Sequence, residues 1–233
     1  MNDTLYRLLA WTSPGYPTGA FSYSHGMEWA VERGTVHDVP TLIDYVTAVL
    51  DHGGGWVDAV LFAHAWRAAG ASEAGWRRGE RQRLQEISEL AAAFRATAET
   101  LLESRQQGAA FLSVTRAAWP HPRLQEFADD ATGQPIAHPV AVAVACAVHS
   151  VPLDQSLRAF LQGVAANLVS AGARLIPLGQ TDAQITVARL MPLTESIANR
   201  ATGIALADLG TATPGLELCS MLHETQYTRL FRS

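Results

Sequence analysis

"PVAVAVACAV" (Pro139–Val148) is the longest apolar run in this 233-residue chain. It falls far short of the roughly 20 apolar residues that a helix needs to cross a bilayer. It reads instead as an Ala/Val-rich helix from Val140 to His149, set between a polar turn (Asp129–Pro135) and Pro152. Working outward, the same period recurs. Leu157, Phe160, Leu161, Val164, Leu168 and Val169 share one face of a segment from Leu153 to Leu175, which Pro177 ends. Upstream, Phe94–Trp119 reads as one long helix closed by Pro120-His121-Pro122, and Arg77–Leu90 as a charged amphipathic stretch. Asp38 is placed to cap a helix with Pro40 in its first turn, and Gly53-Gly54-Gly55 breaks or bends that helix. Leu5–Ala10 starts a short helix that Pro14 stops, and Ile185–Leu209 reads as one or two more. The best strand candidate, "ITVARL", sits among residues that fit a helix better. The expectation is a single all-α domain over residues 1–233, about ten helices packed closely through Ala-rich faces, with a flexible N-terminus and C-terminal tail (about 211–233). Apolar area left over on such a chain suits a homodimer interface.

Composition removes several functions. The net charge of −5, with arginine supplying all 17 basic residues, argues against nucleic acid, whose phosphates need clustered cations. Two distant cysteines, Cys146 and Cys219, suggest no disulfide framework and fit a reducing, cytoplasmic compartment. No lysine exists to complete a phosphate-binding P-loop, and no cofactor fingerprint is present. "SYSHG" (Ser22–Gly26) comes close to a nucleophile elbow at Ser24, but that turn needs a strand before it; helix capping is the simpler role. Asp129 and Asp130, and the arginines at 77, 78, 81 and 83, read as solvated surface. Cys146 with His149, and Cys219 with His223, have helical spacing for a shared face. Neither pair has the further ligands of a metal site, so Cys219 and His223 stand only as weak metal candidates. His25, His52, His64, His121 and His138 show no ligand spacing. No catalytic set assembles.

One block interrupts the helical pattern. "SPGYPTGAFSYSHGMEWAVE" (Ser13–Glu32) resembles the N-terminal signature of the UreF family of urease accessory proteins, roughly S-P-x-x-P-x-G-x-F-S-Y-S-x-G-L-E. The resemblance continues through "ETLLESRQQGAAFL" (Glu99–Leu112), "NLVSAGARLIPLGQTDAQ" (Asn167–Gln184) and "HETQYTRLFRS" (His223–Ser233). Met27 replaces a usual leucine, Gln107 a common methionine and Thr228 a common serine. The resemblance implies an all-α homodimer without catalytic activity that assists nickel insertion into apo-urease. Such a protein works with a UreD-like (UreH-like) accessory protein and a UreG-like GTPase that it modulates. It implies partner-binding residues at Tyr23, Ser24, His25 and Glu28, at Gln180 and Asp182, and at Tyr227, Arg229, Leu230, Phe231 and Arg232.

Physically, the glycines of the block permit tight turns and close approach, and its aromatics supply contact area with few torsions to freeze. Phe21 is expected inward and Tyr23 partly outward. The tail is expected to be loose alone and to order on a partner; the other outcome is that Leu230 and Phe231 fold back onto this chain's core. A second function class is an all-α small-molecule or lipid-binding module, with the helix from Val140 as a pocket wall.

Overall fold

The structure is a computed structural model that describes residues 3–70, 75–131 and 136–233. Among the described residues there are eleven α-helices, two short 3-10 turns and no strand. The helices are α1 (Asp3–Trp11), α2 (Met27–Glu32), α3 (Val39–Asp51), α4 (Gly54–Ala69), α5 (Arg78–Ala93), α6 (Ala98–Ala118), α7 (Pro122–Asp130), α8 (His138–Val148), α9 (Leu153–Leu175), α10 (Gln180–Ala201) and α11 (Pro214–His223). This is the all-α bundle expected. No described helix is long and apolar enough to cross a membrane.

Helix α8 is the hub. Every residue from Pro139 to Val148 is buried, as a helix apolar on all sides must be. Its valines and alanines are slim enough for α4 and α6 to lie along it, with α9 on a further side. The Phe62 and Phe160 rings, 5.2 Å apart, join α4 to α9 within the same core. Helix α10 covers α9 and α3, and α11 packs on α2 and α6.

Local chemistry sets the ends. Asp38 caps α3 by accepting the Thr41 N–H at 2.9 Å, with Pro40 in the first turn as read from the sequence. Thr97 caps α6 by accepting from the Thr100 N–H at 3.2 Å, so the long helix begins at Ala98 and not at Phe94. The proline pair after Trp119 does more than stop a helix. Pro122 occupies the first turn of α7, where its missing N–H costs no hydrogen bond, and His121 caps that turn. The turn expected over Asp129–Pro135 is partly the end of α7; residues 132–135 lie outside the described residues. "ITVARL" lies within α10, as does Pro192, which is on its exposed side.

Candidate functional site

The opening block is a series of tight turns that ends against the tail. Ser13 accepts the Gly15 N–H through its hydroxyl at 3.1 Å. Tyr16 is buried, its hydroxyl 2.7 Å from Thr115 Oγ1. Gly19 takes φ +76° and starts a one-turn 3-10 helix over Ala20–Ser22, pinned to α9 by the Asn167 side-chain N–H donating to the Ala20 carbonyl at 3.0 Å. That turn reverses the expected orientation of two aromatics. Phe21 is 67 % exposed, and Tyr23 is 3 % exposed with its hydroxyl donating to Gln106 Oε1. The sequence period alone could not supply this, because a 3-10 turn advances side chains by a different angle from a helix or an extended run.

His25 and Gly26 follow with φ of +59° and +77°. A Cβ on Gly26 would lie 2.7 Å from the Ser220 backbone nitrogen, so only glycine lets the start of α2 meet α11. The His25 carbonyl accepts the Tyr45 hydroxyl at 2.9 Å, and its ring Nδ1 lies 3.4 Å from Glu103.

Glu28 is next, and it is the centre of a clamp. Its carboxylate is almost buried and accepts the Leu230 N–H at 2.7 Å and the Phe231 N–H at 2.9 Å. It also lies 3.1 Å from Nε2 of His223, whose Nδ1 is 2.8 Å from Glu99. Arg229 donates to the other oxygen of Glu99 at 2.9 Å. A neutral imidazole has one N–H. Hydrogen bonds from both ring nitrogens to carboxylates therefore require a further proton within the Glu28–His223–Glu99 group. Burial is the largest influence on Glu99 and lifts its carboxyl above the usual range, against the lowering effect of His223 and Arg229. Farther along, the Arg232 N–H donates to the Ser22 carbonyl at 2.8 Å. Both the N–H (2.7 Å) and the hydroxyl of Ser24 donate to the Ser233 carbonyl oxygen. Phe231 is buried with the Arg174 guanidinium 4.4 Å from its ring centre.

Tyr23, Ser24, His25, Glu28, Arg229, Leu230, Phe231 and Arg232 thus meet across the chain. The tail expected to be loose lies docked on the opening block, with Phe231 folded back and Leu230 63 % exposed. Tyr227 is fully exposed beside them. Leu218, Met221 and Leu222 of α11 and Leu102 of α6 are further exposed apolar side chains on the two helices that carry this clamp. Gln180 and Asp182 lie elsewhere, in the first turn of α10, where Asp182 accepts the Gly179 N–H at 3.2 Å. The sequence reading missed Glu99, Glu103 and Gln106. Glu99 and Glu103 stand one helical turn apart in "ETLLESRQQG", a spacing that puts both carboxylates on one face of α6.

The metal candidates separate. Both ring nitrogens of His223 face carboxylates, and burial raises the thiol of half-buried Cys219. Cys146 is buried with its thiol pushed up to about 12, and His149 is held at about 4 with Nε2 on the Trp119 carbonyl. Among the described residues no group of three or more His, Cys, Asp or Glu side chains is arranged to hold a metal ion.

Residues 36–191 match the UreF family model. The chain is 50 % identical over 230 residues to the urease accessory protein UreF of Rhodopseudomonas palustris (strain BisB5), covering 99 % of this chain and 91 % of that protein. It is 49 % identical over 229 residues to the one from Granulibacter bethesdensis (98 % and 94 % covered). To the one from Bradyrhizobium diazoefficiens it is 47 % identical over 229 residues (98 % and 91 % covered). The family model covers the helical middle, and the curated relatives extend the match over the opening block and the tail that form the clamp; the chain belongs to the UreF family of urease accessory proteins.

Proposed function

We propose that this chain is a non-catalytic adaptor of urease maturation, a cytoplasmic homodimer that bridges a UreD-like protein and a UreG-like GTPase and tunes that GTPase while nickel passes to apo-urease. Membership of the accessory family supports the maturation role. The observation that carries the adaptor reading is the clamp itself. It holds the tail so that Tyr227 and Leu230 project unsupported, next to the exposed apolar residues of α11. Aromatic and apolar side chains presented on a fixed backbone lose little entropy on binding. Exposed Arg232 flanks them as a cation for partner carboxylates, while Arg229 is already paired with Glu99 of this chain.

The test uses side chains that the fold does not need. Tyr227→Ala combined with Leu230→Ala is expected to leave thermal unfolding of the isolated protein unchanged and to abolish co-purification with the UreD-like protein and urease activation. Activation at the wild-type level would refute the adaptor face. Light scattering at tens of micromolar is expected to give a dimer, consistent with an interface on the order of 2,000 Å². Asp182→Ala in the first turn of α10, a residue that takes no part in the clamp's hydrogen bonds, is expected to weaken capture of the GTPase alone. The other reading, a small-molecule or lipid-binding module, asks for a large internal apolar cavity; the space beneath the opening block is instead a cleft open to solvent, with Asp58, Arg95 and Glu103 in its lining.

A further inference from the structure

The tail is held by two carboxylates set on either side of one imidazole. His223 is fully buried, and the Glu28 and Glu99 side chains are each 8 % exposed. Glu28 accepts the Leu230 and Phe231 N–H groups, one on each oxygen. Amide donors favour the ionised form of a carboxyl group, so Glu28 is the acceptor for an Nε2–H at 3.1 Å. The contact of 2.8 Å between Nδ1 and Glu99 then needs a second proton, on Nδ1 or on the carboxyl itself. Charge leads to the same count. Two carboxylates and the Arg229 guanidinium leave one negative charge, and one further proton makes the group neutral, as a site closed to water favours.

The other ionisable groups of the packed elements are engaged elsewhere or push the same way. On α2, Glu32 holds Gln226; on α6, Glu103 faces His25 and Ser233; in the tail, Arg232 lies by Gln106. Glu224, just past α11, acts on Glu99 as a like charge and so favours the retained proton, and burial keeps Cys219 a neutral thiol.

We propose that closing of the tail clamp takes up one proton, which makes the Glu28–His223–Glu99 group a latch that grips the tail near neutral pH and loosens it as pH rises. In the open form His223 is an ordinary imidazole, neutral above about pH 6.5, and both carboxylates are ionised. The closed form keeps a proton that the open form has lost, so closing weakens about tenfold per pH unit above that value. Below it both forms hold the proton and the dependence levels off. The latch is a property of the folded chain and stands whether or not the adaptor reading holds, since its readout needs no partner.

Amide exchange of Leu230 and Phe231 in the full-length protein, divided by the intrinsic exchange rate at each pH, gives the opening constant. That constant is expected to rise about tenfold per unit between about pH 6.5 and pH 8. Glu99→Gln is the informative variant. Its amide donates to Nδ1 of a neutral imidazole and its oxygen still accepts from Arg229, so every bond is kept without the extra proton. It is expected to stay latched across this range with the slope gone. His223→Gln, which also has no place for the proton, is the second variant and is expected to lose the slope from a more open starting point. Both variants keep His25 beside Glu103, so a slope arising from that pair would survive in them. The proposal falls if the wild-type opening constant is flat over this range, or if the slope persists in either folded variant.

Discussion

At the scale of single residues, burial decides what the ionisable groups do. The His138 ring is half-buried, and loss of solvation holds it at about 4; Glu103 opposes the shift and Arg95 adds to it. In the unfolded chain the same ring titrates near 6.5. Between those values the unfolded chain binds a proton that the folded one refuses. Stability is therefore full above about pH 6.5 and falls toward pH 4, by up to about 1.4 kcal/mol per unit. Asp58 and Glu99, both lifted mainly by burial, work the other way as pH falls. For Glu103, burial is outweighed by the bonds from His25 and Ser233, so its carboxyl is lowered and adds to the loss at lower pH. His138→Gln is expected to shrink the drop in unfolding free energy between about pH 7 and pH 5; an unchanged drop would show that the ring titrates normally in the fold. Tyr23 and Phe21 give a second contrast. Tyr23→Ala is expected to lower stability by about 3 kcal/mol, the usual loss for a buried aromatic, and Phe21→Ala by less than about 0.5 kcal/mol, as urea titrations would read. The sequence suggested the opposite order, because two aromatics two residues apart say nothing about which faces in until the 3-10 turn between them is known.

Among the elements, close approach is the governing constraint, and glycines mark where it is absolute. A Cβ on Gly108 of α6 would stand 2.0 Å from the Ile136 carbonyl oxygen, just ahead of α8. A Cβ on Gly172 of α9 would meet Leu42 Cδ1 at 2.5 Å. The first obstacle is backbone and the second is the end of a side chain that can change rotamer. Gly108→Ala is thus expected to lose about 3 kcal/mol or more, and Gly172→Ala less than half of that, in paired chemical denaturation. Helix existence was legible along most of the chain, because the apolar period and the Asp38 cap report local physics. What escaped was context. Pro122 reads as a terminator in sequence yet begins α7, since proline is tolerated in a first helical turn. Thr97 likewise trimmed α6 by capping it, and nothing in the apolar pattern signals that.

For the molecule as a whole, the clamp links segments nearly the full chain apart. The pieces of the site were visible as segments, the opening block and the tail, but their meeting was not. No local pattern pairs Glu28 with the backbone of Leu230 and Phe231, or sets His223 between Glu28 and Glu99. The Ser24 hydroxyl reaches a residue 209 positions away. Closing a loop of that size from a free chain would cost about 5 kcal/mol in entropy, with few contacts in return. The clamp is therefore expected to close after the helical core has brought its halves together, and to open before that core does. It forms a separate low-energy opening unit, with its own rung on the ladder of native-state fluctuations. Amide hydrogen exchange measures this directly. The Leu230, Phe231 and Arg232 amides are expected to exchange together, through one shared opening. That opening should take several kcal/mol less than the one exposing Val144 in α8. Exchange of Phe231 at the rate of Val144 would instead make the tail part of the global unfolding unit. A partner that grips the tail would then slow those three amides selectively, so exchange would report binding at the clamp without any label attached to it.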